Sequence, residues 1–300
     1  MYANINGTRI YFDVEGMGSV IDGPIMRQKP VCFVLHGGPG SDHTGYKPYL
    51  TPLSDYMQLV YIDNRGSGFS DEGPQSTYTL ENNVADVEAL REYLGLEKFV
   101  IMGRSYGGIV AQSYAVKYPE RLSGLILLVT TPSYRFIERA KQVVAAKGTD
   151  EQKAVVAKMF SGALSSNEEL MSYSQILDPL YIYTYKPPTE AEKVLIEEAM
   201  KRSKHCYQAL NEAFREFGFI HTYDVMDQLH QISSPTLIIG GRHDWITSAE
   251  ESIEIANGIP DNELHIFEKS SHDIMIDEYD LFLDTVSSFV KRKLLGGVYE

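Results

Sequence analysis

The stretch Val100-Ile101-Met102-Gly103-Arg104-Ser105-Tyr106-Gly107-Gly108-Ile109 joins an apolar run to a helical apolar pattern through Gly-x-Ser-x-Gly. Strand, tight glycine-flanked turn and helix, in that order, lift a serine out of a sheet as a nucleophile. Gly103 and Gly107 carry no Cβ, so strand and helix can approach closely while Ser105 takes a strained backbone conformation. The N–H of the next residue then faces the same space as the serine. A structural turn is the competing reading, since the motif also arises by chance. The decision rests on whether the chain supplies a base, an orienting acid and an oxyanion hole.

With 300 residues and 43% hydrophobic content the chain can bury a substantial core, which suits one large α/β domain carrying an insertion. A net charge of -14 argues against nucleic acid or an anionic membrane as partner. A solvated acidic surface explains that charge, and an acidic site attracting a cationic substrate is the sharper alternative. The start, Met-Tyr-Ala-Asn-Ile-Asn-Gly, has neither a basic nor an apolar signal region. No stretch approaches the ~20 apolar residues of a membrane span, so a soluble, cytoplasmic protein is expected. The two cysteines, Cys32 and Cys206, suggest neither a disulfide framework nor a zinc cluster.

Along the chain, Tyr2 to Ile5 and Thr8 to Val14 flank Asn6-Gly7 and read as a hairpin. Gly16 to Lys29, rich in Gly, Pro and charge, reads as a loop. Val31 to Leu35, Gln58 to Ile62, Phe99 to Met102 and Leu122 to Val129 read as strands buried in a parallel sheet. Helices are expected over Tyr46 to Tyr56, Leu80 to Leu94 and Ile109 to Tyr118. From Pro132 to about Gln231 no long buried strand is found. Segments 138–146, 150–160, 167–173, 189–203 and 206–214 look helical there, with Asp178-Pro179 and Lys186-Pro187-Pro188 as breakers. The alternation resumes with strands 235–239 and 263–267 and helices 249–256 and 279–294. The expected organisation is a core in two parts, 1–131 and 232–300, with a helical cap inserted at 132–231. Such an insertion at the carboxyl ends of parallel strands roofs the place where open α/β sheets bind ligands.

A serine nucleophile needs a base within hydrogen-bond reach and an acid that fixes the tautomer of the base. On a sheet of this kind the partners follow in the order serine, acid, histidine. His272, in the loop after the last expected strand, is the candidate base among eight histidines. Asp244, closing the preceding strand in Ile239-Gly240-Gly241-Arg242-His243-Asp244, is the candidate acid. The oxyanion needs two donors: the N–H of Tyr106, and the N–H of Gly37 or Gly38 in His36-Gly37-Gly38-Pro39-Gly40. No Gly-x-Gly-x-x-Gly opening a helix and no Walker lysine is present, and no cofactor is expected.

His36-Gly37-Gly38-Pro39-Gly40, Asp63-Asn64-Arg65-Gly66-Ser67-Gly68-Phe69-Ser70 and Gly103-Arg104-Ser105-Tyr106-Gly107-Gly108 together resemble the landmarks of the α/β-hydrolase superfamily. Within it they resemble the proline iminopeptidases, including tricorn-interacting aminopeptidases. The resemblance covers the sheet domain, about two thirds of the chain, and implies an α/β-hydrolase fold: a mostly parallel sheet flanked by helices, with an inserted helical cap. It implies Ser105, Asp244 and His272 as a triad, and Arg65 as a structural residue holding neighbouring loops. Aminopeptidases of the group hold the substrate amino terminus with cap glutamates and, in some members, with an acid just after the triad aspartate. Glu216 is the local match to the cap glutamate and Glu212 lies one helical turn away, whereas Trp245 follows Asp244. Trp245 instead offers a large apolar face to a proline ring or an acyl group.

The expected function is therefore a serine hydrolase releasing N-terminal proline, or another small or apolar residue, from short peptides through an acyl-enzyme. An esterase, lactonase or amidase on small neutral acyl substrates is the alternative within enzymes. A noncatalytic small-molecule receptor on the same scaffold is the alternative outside them. Neither an oligomeric nor a protease partner is specified by these residues.

Overall fold

Continuous apolar runs become the inner strands of one sheet, as burial on both faces requires. The structure, a computed structural model, describes residues 1–296, so positions 297–300 of the last expected segment lie outside the described residues. Strands β1 (Tyr2–Ile5) and β2 (Thr8–Glu15) form the hairpin expected around Asn6-Gly7, both of which take positive φ, 44° and 72°. The segment expected as a loop contains a second hairpin, β3 (Ser19–Asp22) and β4 (Ile25–Gln28). These two strands pair only with each other and expose Ile21, Ile25 and Met26. No buried face imposes the alternation that marks a strand in sequence.

Strands β5 (Val31–Leu35), β6 (Gln58–Ile62), β7 (Phe99–Arg104), β8 (Leu122–Leu128), β9 (Thr236–Gly241) and β10 (Asn262–Phe267) complete the main sheet. It has eight strands in the order β1-β2-β6-β5-β7-β8-β9-β10. The six from β6 to β10 in that order run parallel, and β1 and β2 are antiparallel additions at one edge. Alternate residues of β5 feed two cores. Phe33 and Leu35 pack with Val84, Val87, Val110 and Ala111 of helices Leu80–Tyr93 and Tyr106–Lys117. Cys32 and Val34 pack on the other face with Leu50, Phe282 and Val286.

Two helices depart from expectation because of proline. The segment from Tyr46 to Tyr56 is one α-helical turn, Lys47–Leu50, followed by a 3-10 turn over Thr51–Asp55. Pro52 has no N–H to continue the ladder, and it restricts Thr51. Conversely, Asp178-Pro179 does not break its helix, which runs from Asn167 to Tyr181. Pro179 leaves the carbonyl of Gln175 without its helical partner, and Gln175 is exposed, so water can satisfy it. That extension places two further side chains, Asp178 and Tyr181, over the sheet's carboxyl end.

Between β8 and β9 no strand is found among the described residues. The chain there forms helices Phe136–Lys147, Asp150–Met159, Asn167–Tyr181, Glu190–Arg202 and Tyr207–Phe214. No helix among the described residues is long and apolar enough to cross a membrane. One ion-pair cluster ties this segment to the sheet layer. Arg139 donates to Glu251 and Glu254 of helix Ala249–Gly258, and Glu251 also accepts from the Thr131 hydroxyl at 2.9 Å. Burial raises the Glu251 carboxyl above its ordinary range, against the bonds from Thr131 and Arg139.

Replacing Arg139 by Met leaves Glu251 buried without its cation. The expected loss is about 2 kcal/mol, less than the ~3–5 for a fully buried pair because Arg139 is partly solvated. The group that then resists ionisation is Glu251, so the deficit is largest at pH 7–8 and shrinks as the pH falls and the carboxyl protonates. Urea unfolding of wild type and R139M at pH 7.5 and pH 5 measures both quantities.

Candidate active site

Close approach of backbone to backbone sets the geometry at the end of β7. Ser105 sits at φ 53° and ψ −120°, between the last residue of the strand and the first of helix Tyr106–Lys117. A non-glycine residue held at positive φ stores on the order of 1–3 kcal/mol. Its surroundings fix it there: the Ser105 N–H donates to the Leu128 carbonyl at 2.9 Å, and the Ser105 carbonyl accepts from the Thr130 hydroxyl at 2.8 Å. A Cβ on Gly107 would overlap the Leu35 carbonyl, and one on Gly103 would overlap the Gly107 carbonyl. The helix can start against β5 and β7 only with glycine at both places.

A helix start is also able to hold an anion. The N–H groups of a first turn have no intrahelical acceptor, and the helix dipole adds partial positive charge there. The Tyr106 N–H is the first of them. In the loop after β5, the Gly37 N–H donates to the Tyr46 hydroxyl at 2.7 Å. Of the two glycines proposed from sequence as the second oxyanion donor, Gly37 is thus already engaged.

Asp244 follows β9 and His272 follows β10, so parallel neighbours deliver both to the same end of the sheet. They meet with the His272 Nδ1 2.7 Å from Asp244 Oδ2, both residues being almost fully buried. Asp244 accepts in addition from the N–H groups of Ile246 and Thr247, at 2.9 and 3.0 Å, and from the Thr247 hydroxyl at 2.8 Å. These donors hold the Asp244 carboxyl in place, and with Asp244 as the acceptor at Nδ1 the imidazole proton sits on that nitrogen. Nε2 is left with its lone pair. His272 and Ser105 line the same cavity, of about 300 Å³, together with Gly37, Gly38, Arg104 and Tyr46.

Its far wall comes from the helices between β8 and β9: Met159, Phe160, Leu170, Leu177, Leu210 and Phe214 make it largely apolar. Three carboxylates also reach it. Asp42 accepts from the Thr44 N–H and hydroxyl and from the Lys204 N–H, and Asp273 is paired with Arg104. Asp178 has no hydrogen-bond or ion-pair partner among the described residues. Burial, helped by the charge of Asp273, pushes its carboxyl up to about 6. Sequence reasoning missed Asp178 by ending the helix before it. The one available signal was that Leu170, Leu177 and Tyr181 continue an apolar helical face through Pro179.

The residues proposed from sequence for substrate contact stand elsewhere. Glu216 is exposed and does not line the cavity. Glu212 pairs with Arg215 at 2.7 Å and does not line the cavity either. Trp245 is 2% exposed and sits behind the wall, stacked on Phe160 and edge-on to Tyr181; its neighbour Ile246 reaches the cavity instead. Tryptophan there supports the wall because its apolar area is worth more fully buried. Arg65, by contrast, ties its loop to helix Leu80–Tyr93 through a buried pair with Asp86 at 2.6 Å, and to the β1–β2 turn through the Asn6 carbonyl at 3.4 Å.

A parallel sheet with a serine at a strand-to-helix elbow and an Asp–His pair off two later strands is the layout of one large class. Residues 30–279 match the α/β hydrolase fold family, and the chain belongs to it; the family together with the relatives below supports a hydrolase. It resembles proline iminopeptidases. It is 32% identical over 267 residues to a proline iminopeptidase of Saccharolobus solfataricus, covering 86% of this chain and 84% of the relative. To the proline iminopeptidase PfmaB of Pestalotiopsis fici it is 29% identical, covering 97% of this chain and 99% of the relative. Among solved structures, a proline iminopeptidase of Mycobacterium smegmatis superposes with a TM-score of 0.75 at 21% identity, over 99% of each chain.

Substituting Gly107 by Ala forces a Cβ into the Leu35 carbonyl. The expected result is a stability loss of about 1–3 kcal/mol, the range for overpacking, whereas Ala at the exposed Gly95, whose Cβ would meet nothing within 4 Å, loses only its positive-φ preference. Thermal unfolding of the two variants side by side checks the difference.

Proposed function

We propose that this protein is a serine aminopeptidase that releases N-terminal proline, or another small or apolar residue, from short peptides. In this reading Ser105 Oγ attacks the carbonyl carbon while His272 Nε2 takes its proton, and Asp244 stabilises the imidazolium. The carbonyl π electrons move to oxygen, where the Tyr106 and Gly38 N–H groups hold the oxyanion; a preorganised donor of this kind is worth about 10²–10³ in kcat. His272 then protonates the leaving amine, and water hydrolyses the acyl-enzyme with the same histidine as base. The helical segment 132–231 serves as the cap over the cavity.

The observation that carries the amine preference is Asp178. An unpaired carboxylate in an apolar cavity beside the nucleophile is costly to ionise, and a substrate ammonium would supply its missing partner. The relatives named proline iminopeptidases support the same substrate class. An esterase or lactonase on neutral acyl substrates is the second reading, favoured by the absence of Glu212 and Glu216 from the cavity wall. A noncatalytic receptor on this scaffold would react with neither amides nor esters.

Release of naphthylamine from proline β-naphthylamide, compared with hydrolysis of p-nitrophenyl acetate, separates the readings. The amide is expected to turn over, and fast ester turnover with no amide release would sink the aminopeptidase reading. Asp178→Asn is expected to raise KM for the amide about 10–100-fold, as loss of a charged hydrogen bond does, with the ester changed less than about threefold. Because the free Asp178 carboxyl protonates near 6, wild-type KM for the amide is expected to climb below that pH, and the climb is expected to disappear in D178N. Asp244→Asn is expected to lower kcat by roughly 10³–10⁴ through the wrong tautomer of His272.

A further inference from the structure

Arg104, the residue just before Ser105, has no part in the mechanism above, yet its side chain contacts the His272 loop and the Tyr46 hydroxyl that holds the glycine loop. The guanidinium Nη2 donates to the His272 carbonyl at 3.1 Å and to the Asp273 carboxylate. Nη1 approaches the Tyr46 hydroxyl at 3.5 Å, a long contact, with the guanidinium 5.8 Å from the Tyr46 ring centre. That same hydroxyl accepts the Gly37 N–H. One planar cation therefore links the serine elbow, the histidine loop and the glycine loop, from a site only 15% exposed. Removing a charged pair from water is expensive, and a buried pair is weak evidence of stabilisation by itself. Its geometry is the informative part: Arg offers a fork of fixed shape, which a flexible lysine does not.

Resting on the reading of Ser105, His272 and Asp244 as a triad, we propose that Arg104 is a positioning residue that fixes the His272 loop against Ser105, and that its pair with Asp273 keeps the charge beside His272 balanced. Proton transfer from Ser105 to His272 requires their atoms within hydrogen-bond reach, and a displacement of about 1 Å lowers the rate by about 10²-fold. Through Tyr46, the same side chain sets the height of the Gly37–Gly38 loop at the oxyanion.

The charge balance gives the proposal a signature that loss of packing does not have. The groups around His272 are Asp244 from the β9 loop, Asp273 on its own loop, Arg104 from β7, Asp178 and Tyr181 from helix Asn167–Tyr181, and Asp42 and His205 across the cavity. Removing Arg104 leaves Asp273 unopposed, which favours the imidazolium. Removing the charge of Asp273 leaves Arg104 unopposed, which disfavours it. The two changes act in opposite directions on the same group.

The test is the second-order rate of labelling by a fluorophosphonate as a function of pH, which reports the serine and its base without any assumption about substrate. For Arg104→Met we expect a rate about 10–100-fold lower at its plateau and an acid limb moved to higher pH. Asp273→Asn should move the acid limb to lower pH. Arg104→Lys, which keeps the charge and the fold but not the fork, should keep the wild-type limb and lose part of the rate, and Arg104→Met combined with Asp273→Asn should bring the limb back while the rate stays low. Rates within twofold of wild type in Arg104→Lys and Asp273→Asn with unmoved limbs, or limbs shifted in the same direction in Arg104→Met and Asp273→Asn, would overturn the proposal. Ser105→Ala separates the two levels: labelling abolished there but unaffected by changes at 104 and 273 removes only the role of Arg104, whereas labelling that persists removes the triad reading and the proposal with it.

Discussion

The contact between the start of helix Tyr106–Lys117 and the ends of β5 and β7 is the constraint on which the rest depends. It holds Ser105 at positive φ at the start of the helix and leaves no room for a Cβ at Gly103 or Gly107. The strain of one residue is met by bonds to Leu128 and Thr130 on the neighbouring strand and the turn beyond it. Because β8, β9 and β10 run parallel to β7, their carboxyl ends lie side by side with that elbow. Asp244 and His272 arrive there by topology, although they are far from Ser105 in sequence.

Above this floor, the helical segment between β8 and β9 gives the cavity a largely apolar wall. Its apolar side chains exclude water, which raises the energy of any ion inside. Asp42 and Asp273 have partners, and the Asp178 carboxylate has none among the described residues. The wall has a second layer in which Trp245 backs Phe160 and Tyr181. Arg104 ties floor to wall, since the Asp273 N–H donates in turn to the carbonyl of Tyr181, the last residue of the helix that carries Asp178.

Much of this was legible in the sequence, for identifiable reasons. The inner strands could be read because burial on both faces writes continuous apolar runs, and Ser105, Asp244 and His272 could be proposed because each follows a strand at its carboxyl end. The β3–β4 hairpin was not legible, because nothing buries it. Helix Asn167–Tyr181 was cut short because Pro179 is a general breaker, and only the exposure of Gln175 lets it stand. Glu216 and Glu212 were sought by resemblance, which carries residue types and not directions; neither lines the cavity. Arg104 was invisible because its partners, Tyr46, His272 and Asp273, come from loops that only the folded sheet brings together.

The most direct test is a crystal structure of the protein with proline aldehyde, which forms a reversible hemiacetal with a reactive serine. The account predicts a bond from Ser105 Oγ to the aldehyde carbon, its oxygen facing the N–H groups of Tyr106 and Gly38, and the ring nitrogen within ~3.2 Å of the Asp178 carboxylate. A ligand bonded to Ser105 with its nitrogen directed away from Asp178 would contradict the assigned amine recognition, and a ligand bound with no bond to Ser105 would contradict the account as a whole.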